Sequence, residues 1–317
     1  MIFGEKEETT ISQAALELVN LTKTFGENTV LKNLCLKIEK GDIFGFLGNN
    51  GAGKTTTIRV IFGLIRPTKG FFHVFGFKCP LQITLAKRVM GGLVDIPAFY
   101  ETLTGRENLE ILTAFTGRTL PKSAVEEASR LVGIHDILDY PVRIYSNGQK
   151  RRLGIAQALV PHPRLIVLDE PTAGLDPEGV KSIRELIMDL NRRLNITVVL
   201  SSHVLSEVQK TCNRVSIIHY GSILKTAPVE ELLFDASYQF KISTPEQAEK
   251  FFLEKNITYQ TRNGYYILPI SREEVPEMVR EMGLRNIGIY EISPRQITLE
   301  EVFLQTVKGG KNEYPDT

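Results

Sequence analysis

The sequence predicts an α/β protein in which a parallel sheet carries a glycine-rich turn, with an antiparallel β subdomain, a helical insertion and a small C-terminal α+β domain. Three observations predict it. The run Gly48-Asn-Asn-Gly-Ala-Gly-Lys-Thr55 follows the apolar stretch Ile43 to Leu47 and precedes Thr56-Thr-Ile-Arg-Val-Ile-Phe62, the order strand, turn, helix. Two more apolar runs, Arg164 to Leu168 and Ile196 to Leu200, read as buried parallel strands and end in polar residues. Residues 238–292 read β-α-β-β-α-β, the pattern of a split βαβ or ferredoxin-like domain.

The turn matches the spacing G-x-x-x-x-G-K-T, so Gly48, Asn49, Asn50, Gly51, Ala52, Gly53, Lys54, Thr55 and Thr56 form a candidate phosphate site. Glycines let the backbone curl so that successive N–H groups point at phosphate oxygens, and the following helix places its positive end on the same anion. Lys54 would reach the outer phosphates, and the Thr55 hydroxyl would ligate a bridging magnesium ion. A ligand-free glycine turn is the competing reading. A match somewhere in a chain of this length has a chance on the order of one per cent at background composition.

Length and charge bound the remainder. The 317 residues suffice for one large and one smaller core. With 38 basic against 37 acidic residues there is no global electrostatic reason to expect nucleic acid as a partner. Cys35, Cys79 and Cys212 are far apart and odd in number, which fits a reducing compartment rather than a disulfide framework or a zinc site. No apolar run reaches the roughly 18 to 20 residues that span a bilayer, and the acidic start does not suit a signal peptide. A soluble protein is expected, with any membrane role exercised through a partner.

Residues 1–15 form a polar extension. Leu16 to Thr22 and Leu31 to Ile38 alternate as antiparallel strands. Phe25, between them, could stack on a base or fill the core of a small sheet, and pattern alone favours the core. Gly70 to Phe77 reads as a strand, and Leu85 to Leu93 as a short amphipathic piece with a strand-like end. Leu103 to Gly117, Pro121 to Gly133 and Tyr145 to Val160 read as helices, a helical insertion in the α/β pattern.

The α/β pattern resumes at Arg164 to Leu168, which runs into Asp169-Glu170 before Pro171 stops the strand. Asp169 would hold magnesium, directly or through water, and Glu170 would orient and polarise the attacking water. An acidic pair can also be a plain helix cap. Pro177 to Arg193 has helical apolar spacing, and Ile196 to Leu200 leads to Ser201-Ser-His203. A lone histidine is usually structural. Here Gly48, Asp169 and His203 all stand at the carboxyl ends of expected parallel strands, where open α/β sheets bind ligands. Beyond residue 227 no catalytic cluster is visible, so residues 228–317 are expected to be an accessory, regulatory or docking domain.

Taken together, residues 16–227 resemble the ATP-binding subunit of an ABC transporter. Ser146-Asn147-Gly148-Gln149 looks like the family signature sequence, Asp169-Glu170 like its acidic pair, Ala173-Gly-Leu-Asp176 like its D-loop and His203 like its switch histidine. Phe25 falls where the family has an adenine-stacking aromatic, reversing the preference from pattern. The resemblance implies ATP and magnesium as cofactors and a head-to-tail dimer in which Ser146, Gly148, Gln149 and Asp176 serve the ATP of the other subunit. It also implies a separate membrane permease as partner, on the cytoplasmic side of the membrane, and a homodimer in preference to a heterodimer.

Two departures stand out. Asn147 and Tyr145 replace the signature's usual glycine and leucine. The position of the Q-loop glutamine is Asp95, in Gly92-Leu-Val-Asp-Ile-Pro-Ala-Phe-Tyr100, which with Leu103-Thr-Gly-Arg-Glu-Asn-Leu109 is similar to the bacitracin-resistance and lantibiotic self-protection exporters. Asp95 is thereby a third candidate metal contact beside Thr55 and Asp169. The expected function is ATP hydrolysis powering export of an antimicrobial peptide, antibiotic or similar compound. The alternative is an ATPase of the same superfamily acting on ribosomes or DNA, although neither a second nucleotide domain nor a long coiled-coil insertion is present. A phosphate-loop kinase or switch would leave Ser146 to Gln149, Asp176 and His203 unexplained.

Overall fold

The computed structural model describes residues 14–94, 98–114, 120–121 and 123–310. Strands β1 (Ala14–Phe25) and β2 (Asn28–Glu39) form a long antiparallel hairpin. The fully buried β3 (Ile43–Leu47) leads through the glycine-rich turn into α1 (Lys54–Ile61). The expected strand Gly70 to Phe77 is two strands, β4 (Lys69–Val74) and β5 (Phe77–Cys79), because Phe75 and Gly76 both take positive φ (45° and 86°) and turn the chain back. These strands make a four-stranded antiparallel sheet of order β2-β1-β4-β5. Its inner face shares one core with the central sheet, through residues such as Leu16, Leu34, Phe72, Phe46 and Val199.

Helix α2 (Ile83–Lys87) and strand β6 (Met90–Leu93) follow. The insertion comprises α3 (Gly105–Ala114), α4 (Ala124–Val132) and α5 (Asn147–Leu159). Helix α3 begins later than its apolar pattern because Thr104 and Glu107 cap it reciprocally: Thr104 Oγ1 accepts from Glu107 N at 3.1 Å, and Glu107 Oε2 accepts from Thr104 N at 2.7 Å.

The chain then alternates β7 (Leu165–Asp169), α6 (Pro177–Leu194), β8 (Thr197–Ser202), α7 (Leu205–Thr211), β9 (Arg214–His219) and β10 (Ser222–Pro228). The central sheet has the order β10-β9-β3-β8-β7-β6. All neighbours are parallel except β10, which pairs antiparallel with β9. Strands β7 and β8 are buried along their whole length, which is why they read as continuous apolar runs rather than alternating ones.

After α8 (Val229–Leu233) come β11 (Phe234–Ile242), α9 (Pro245–Glu254), β12 (Gln260–Arg262), β13 (Tyr265–Leu268), α10 (Val275–Leu284), β14 (Ile289–Gln296) and α11 (Leu299–Gly310). The antiparallel order β12-β13-β11-β14 is that of a ferredoxin-like domain. Its own core joins Phe240 and Leu268 of the sheet to Phe251 and Phe252 of α9 and Met282 of α10. The chain divides into two compact units, one ending at Val229 and resuming at Gln305, the other Glu230–Leu304. Among the described residues no helix is long and apolar enough to cross a membrane.

Candidate active site

Parallel pairing brings chain-distant strand ends to one edge of the central sheet. Leu47 is in register with Ser202, and Asp169 with Ser201. The glycine-rich turn, the acidic pair and His203 leave from that edge.

At the turn, Gly53 has φ +109°, a backbone conformation that favours glycine, and a Cβ there would also crowd Leu31 Cδ2 at 2.8 Å. Among the described residues the N–H groups of Gly53, Lys54, Thr55 and Thr56 have no protein acceptor, since the first helical bond from this stretch is Thr57 N to Gly53 O at 2.9 Å. Four adjacent donors at a helix start form a cradle for an anion. Lys54 is only 6 % exposed, and its Nζ donates to Gly48 O at 2.7 Å and Asn49 O at 3.3 Å. It also lies 3.7 Å from Glu170 Oε1.

Asp169 is 3 % exposed, and its Oδ1 accepts from Ser201 Oγ. Ser201 Oγ in turn accepts from Glu170 N at 3.0 Å, so one buried hydroxyl fixes both acids. Among the described residues Asp169 has no ion-pair partner within 4 Å, an unusual position for a buried carboxylate and one that suits a bound cation. No cluster of three or more metal-ligating side chains accompanies it among the described residues. One carboxylate, the Thr55 hydroxyl and phosphate oxygens are a donor set that fits magnesium, which keeps several waters and needs few protein ligands.

Glu170 has φ +45°, a strained conformation for a residue other than glycine, of the kind that clusters at functional sites. Its Oε2 meets His203 Nδ1 at 2.9 Å, while Oε1 faces Lys54, so two basic groups hold its two oxygens. Arg151 on α5 is also close by, buried and donating to Ala173 O at 3.1 Å. Burial pulls its guanidinium below its ordinary value, against the field of Glu170.

Ser146 is the N-cap of α5. Its Oγ accepts from Gln149 N at 3.2 Å and Gln149 Oε1 accepts from Ser146 N at 2.8 Å, a complete capping box. The Ser146 hydroxyl proton is left to donate elsewhere. Asp176 caps α6 through Gly179 N at 2.9 Å. Ser146, Gly148, Gln149 and Asp176 line one open groove whose walls include none of the phosphate-loop residues. Phe25 is 48 % exposed at the tip of the β1–β2 hairpin, which excludes the core reading.

The structure thus gathers Lys54, Asp169, Glu170 and His203 in one place and Ser146, Gly148, Gln149 and Asp176 in another, while Asp95 lies outside the described residues. Sequence reasoning missed Ser201 and Arg151. For Ser201 the available signal was a polar residue at the end of an otherwise apolar buried strand. For Arg151 nothing in the pattern distinguishes it from its neighbours Lys150 and Arg152.

The family described as ABC transporter matches residues 31–173. The chain is 37 % identical over 304 residues to the bacitracin transport ATP-binding protein BcrA of Bacillus licheniformis, covering 93 % of this chain and 98 % of that one. It is 34 % identical over 209 residues to the lantibiotic transport ATP-binding protein SrtF of Streptococcus pyogenes, covering 66 % of this chain and 89 % of the relative. Among solved structures, the dimeric post-hydrolysis state of the ATP-binding cassette MJ0796 bound to ADP and Pi superposes with a TM-score of 0.60 at 26 % identity, over 68 % of this chain and 98 % of that one.

Proposed function

Since the chain belongs to the ATP-binding proteins of ABC transporters, ATPases coupled to transport, we propose that two copies bind head to tail around two ATP molecules and drive a separate membrane permease. The observation that carries the dimer is the groove at Ser146: it offers a hydroxyl proton and the N–H groups of Asn147 and Gly148 to an anion, yet contains no phosphate-loop residue of its own chain. A phosphate supplied by a second copy completes it. The names of BcrA and SrtF support bacitracin-like or lantibiotic peptides as the class of exported compound.

In this reading Phe25 stacks on the adenine, and the backbone of Gly48 to Thr56 encloses the phosphates. Lys54 exchanges its carbonyl partners for β- and γ-phosphate oxygens. Thr55 and Asp169 hold magnesium, which when bound neutralises charge on the phosphates. Glu170 accepts the proton of the water that attacks the γ-phosphorus as the bond to the bridging oxygen breaks. His203, at 2.9 Å, holds the Glu170 carboxylate toward that water. Loss of the γ-phosphate removes the anion shared by the two chains, so hydrolysis opens the dimer and the permease senses that opening. The second unit, Glu230–Leu304, serves as an accessory domain that regulates or docks the first.

Affinity purification of the tagged chain from detergent-solubilised membranes of its native host tests the proposal. A multi-span membrane protein should co-purify in near-equal amount, and exported peptide resistance should fall on deletion of either gene. Recovery of ribosomes or of no membrane protein would overturn it.

A further inference from the structure

Phe25 does not stand alone. Lys23 Nζ lies 4.7 Å from the centroid of its ring, a cation–π distance. The same Nζ donates to Arg66 O at 2.9 Å, in the turn that follows α1. The backbone beside it is pinned to that turn as well: Thr24 N donates to Thr68 Oγ1 at 3.0 Å, and Thr68 N to Thr22 O at 2.8 Å. Thr24 Oγ1 and Thr29 Oγ1, 3.1 Å apart, bridge the two strands at the pair next to Phe25 and Asn28.

An aromatic ring has two faces. With Lys23 tethered over one of them, only the opposite face is open to another flat group. We propose that Lys23 is a positioning residue for the nucleotide base: it closes one face of Phe25, fixes the tilt of the ring and ties it to the turn that follows the phosphate-loop helix, so that base and triphosphate are held in one geometry. This rests on Phe25 as the base platform. The role differs from that of Lys54, because Lys23 acts on the base and through a ring rather than on phosphate oxygens. It therefore makes a prediction about ligand parts: removing the Lys23 charge should weaken whatever carries a base and spare whatever carries only phosphates.

The test compares the parent with Lys23→Met, Lys23→Arg, Phe25→Leu and the double variant Lys23→Met/Phe25→Leu. Calorimetry gives the Kd for ATP and for inorganic tripolyphosphate. Lys23 is partly exposed, so neither substitution opens a cavity. Lys23→Met should raise the Kd for ATP about three-fold, the scale of an exposed cation–π contact, and leave tripolyphosphate unchanged. Lys23→Arg, whose guanidinium also stacks on rings, should restore ATP binding. In the Phe25→Leu background Lys23→Met should have no further effect. Equal weakening of ATP and tripolyphosphate would overturn the proposal, since Lys23 would then be a plain phosphate attractor. Unchanged ATP affinity in Lys23→Met, or an equal loss with and without Phe25, would overturn it too. Phe25→Leu alone reports on the platform: parental ATP affinity there would remove the platform itself, separately from any effect of Lys23.

Discussion

Glu170→Gln separates chemistry from binding most sharply. The substitution keeps shape and the Ser201 bond to the backbone N–H, and removes one charge and the ability to take a proton. At 3.7 Å the attraction between Glu170 and Lys54 is roughly 4 kcal/mol at an effective dielectric of about 20. Desolvation of the nearly buried lysine and the quarter exposure of Glu170 offset most of it, leaving a net cost of about 1 kcal/mol, or a fall of some 2–4 °C in Tm for a domain of this size. Loss of a general base costs about 10²–10⁴ in rate, roughly 3–5 kcal/mol of barrier. The catalytic loss therefore exceeds the stability loss several-fold.

The sign for binding is opposite. Without the Glu170 carboxylate, Lys54 has one rival anion fewer and the triphosphate one repelling charge fewer, so ATP affinity should equal or exceed that of the parent. Phosphate release by a coupled assay, calorimetric ATP affinity and sedimentation with ATP measure the three consequences: turnover reduced at least a hundred-fold, binding retained, dimers accumulating. Turnover within three-fold of the parent would place the proton acceptor elsewhere, and lost ATP binding would mean that the carboxylate holds the site together rather than acting on water.

Lys54→Ala should do the reverse, weakening ATP binding at least ten-fold through loss of a charge-assisted phosphate contact, as calorimetry would show. Native alkylation with iodoacetamide near pH 7.5 should label Cys35 alone, by mass spectrometry, because Cys35 is exposed whereas burial pushes the Cys79 thiol up to about 11 and also raises Cys212. Arg106 bonds Asp139 Oδ1 at 2.6 Å and also pairs with Glu126, and its hydrogen bond holds the Asp139 carboxyl below its ordinary value. A depressed carboxyl contributes stability above its unfolded value and loses it as pH falls through the folded one, so Arg106→Met should lower Tm at pH 7 and change it less near pH 3.

The parts of the site legible in the sequence were those carried by short contiguous motifs. Gly48 to Thr56 and Asp169-Glu170 each contain their own geometry, and β3, β7 and β8 announced themselves as unbroken apolar runs. Residues 205–225 yielded no expectation, although α7, β9 and most of β10 lie there, because Arg214-Val-Ser-Ile-Ile-His219 is a short mixed run that is buried only once paired with β3. The contacts between motifs were illegible for a related reason. Glu170 and His203 are 33 positions apart and meet because β7 and β8 pair in parallel register, a fact of the sheet and not of either strand.

Gly148 shows the limit from the other side, since nothing among the described residues requires glycine there. It sits in the first turn of α5, and a Cβ built there would meet only Ser146 Oγ, at 3.9 Å. Its φ is not positive, and alanine favours a helix by up to about 1 kcal/mol over glycine. An isolated chain would be as stable or more stable with Gly148→Ala. In the proposed dimer a bare backbone at that point serves something approaching from outside, and the N–H groups of Asn147 and Gly148, without an acceptor among the described residues, suit an anion beside the Ser146 hydroxyl. The added methyl would then stand between those donors and the phosphate of a second copy. We expect Gly148→Ala to keep or raise Tm, to leave ATP affinity of the single chain within about two-fold of the parent, and to abolish both ATP-driven dimers and turnover. Melting curves, calorimetry and phosphate release in the otherwise parental chain, with sedimentation in the Glu170→Gln background, check each part. Dimers of parental strength with Gly148→Ala would show that no phosphate approaches this helix and would refute the head-to-tail arrangement.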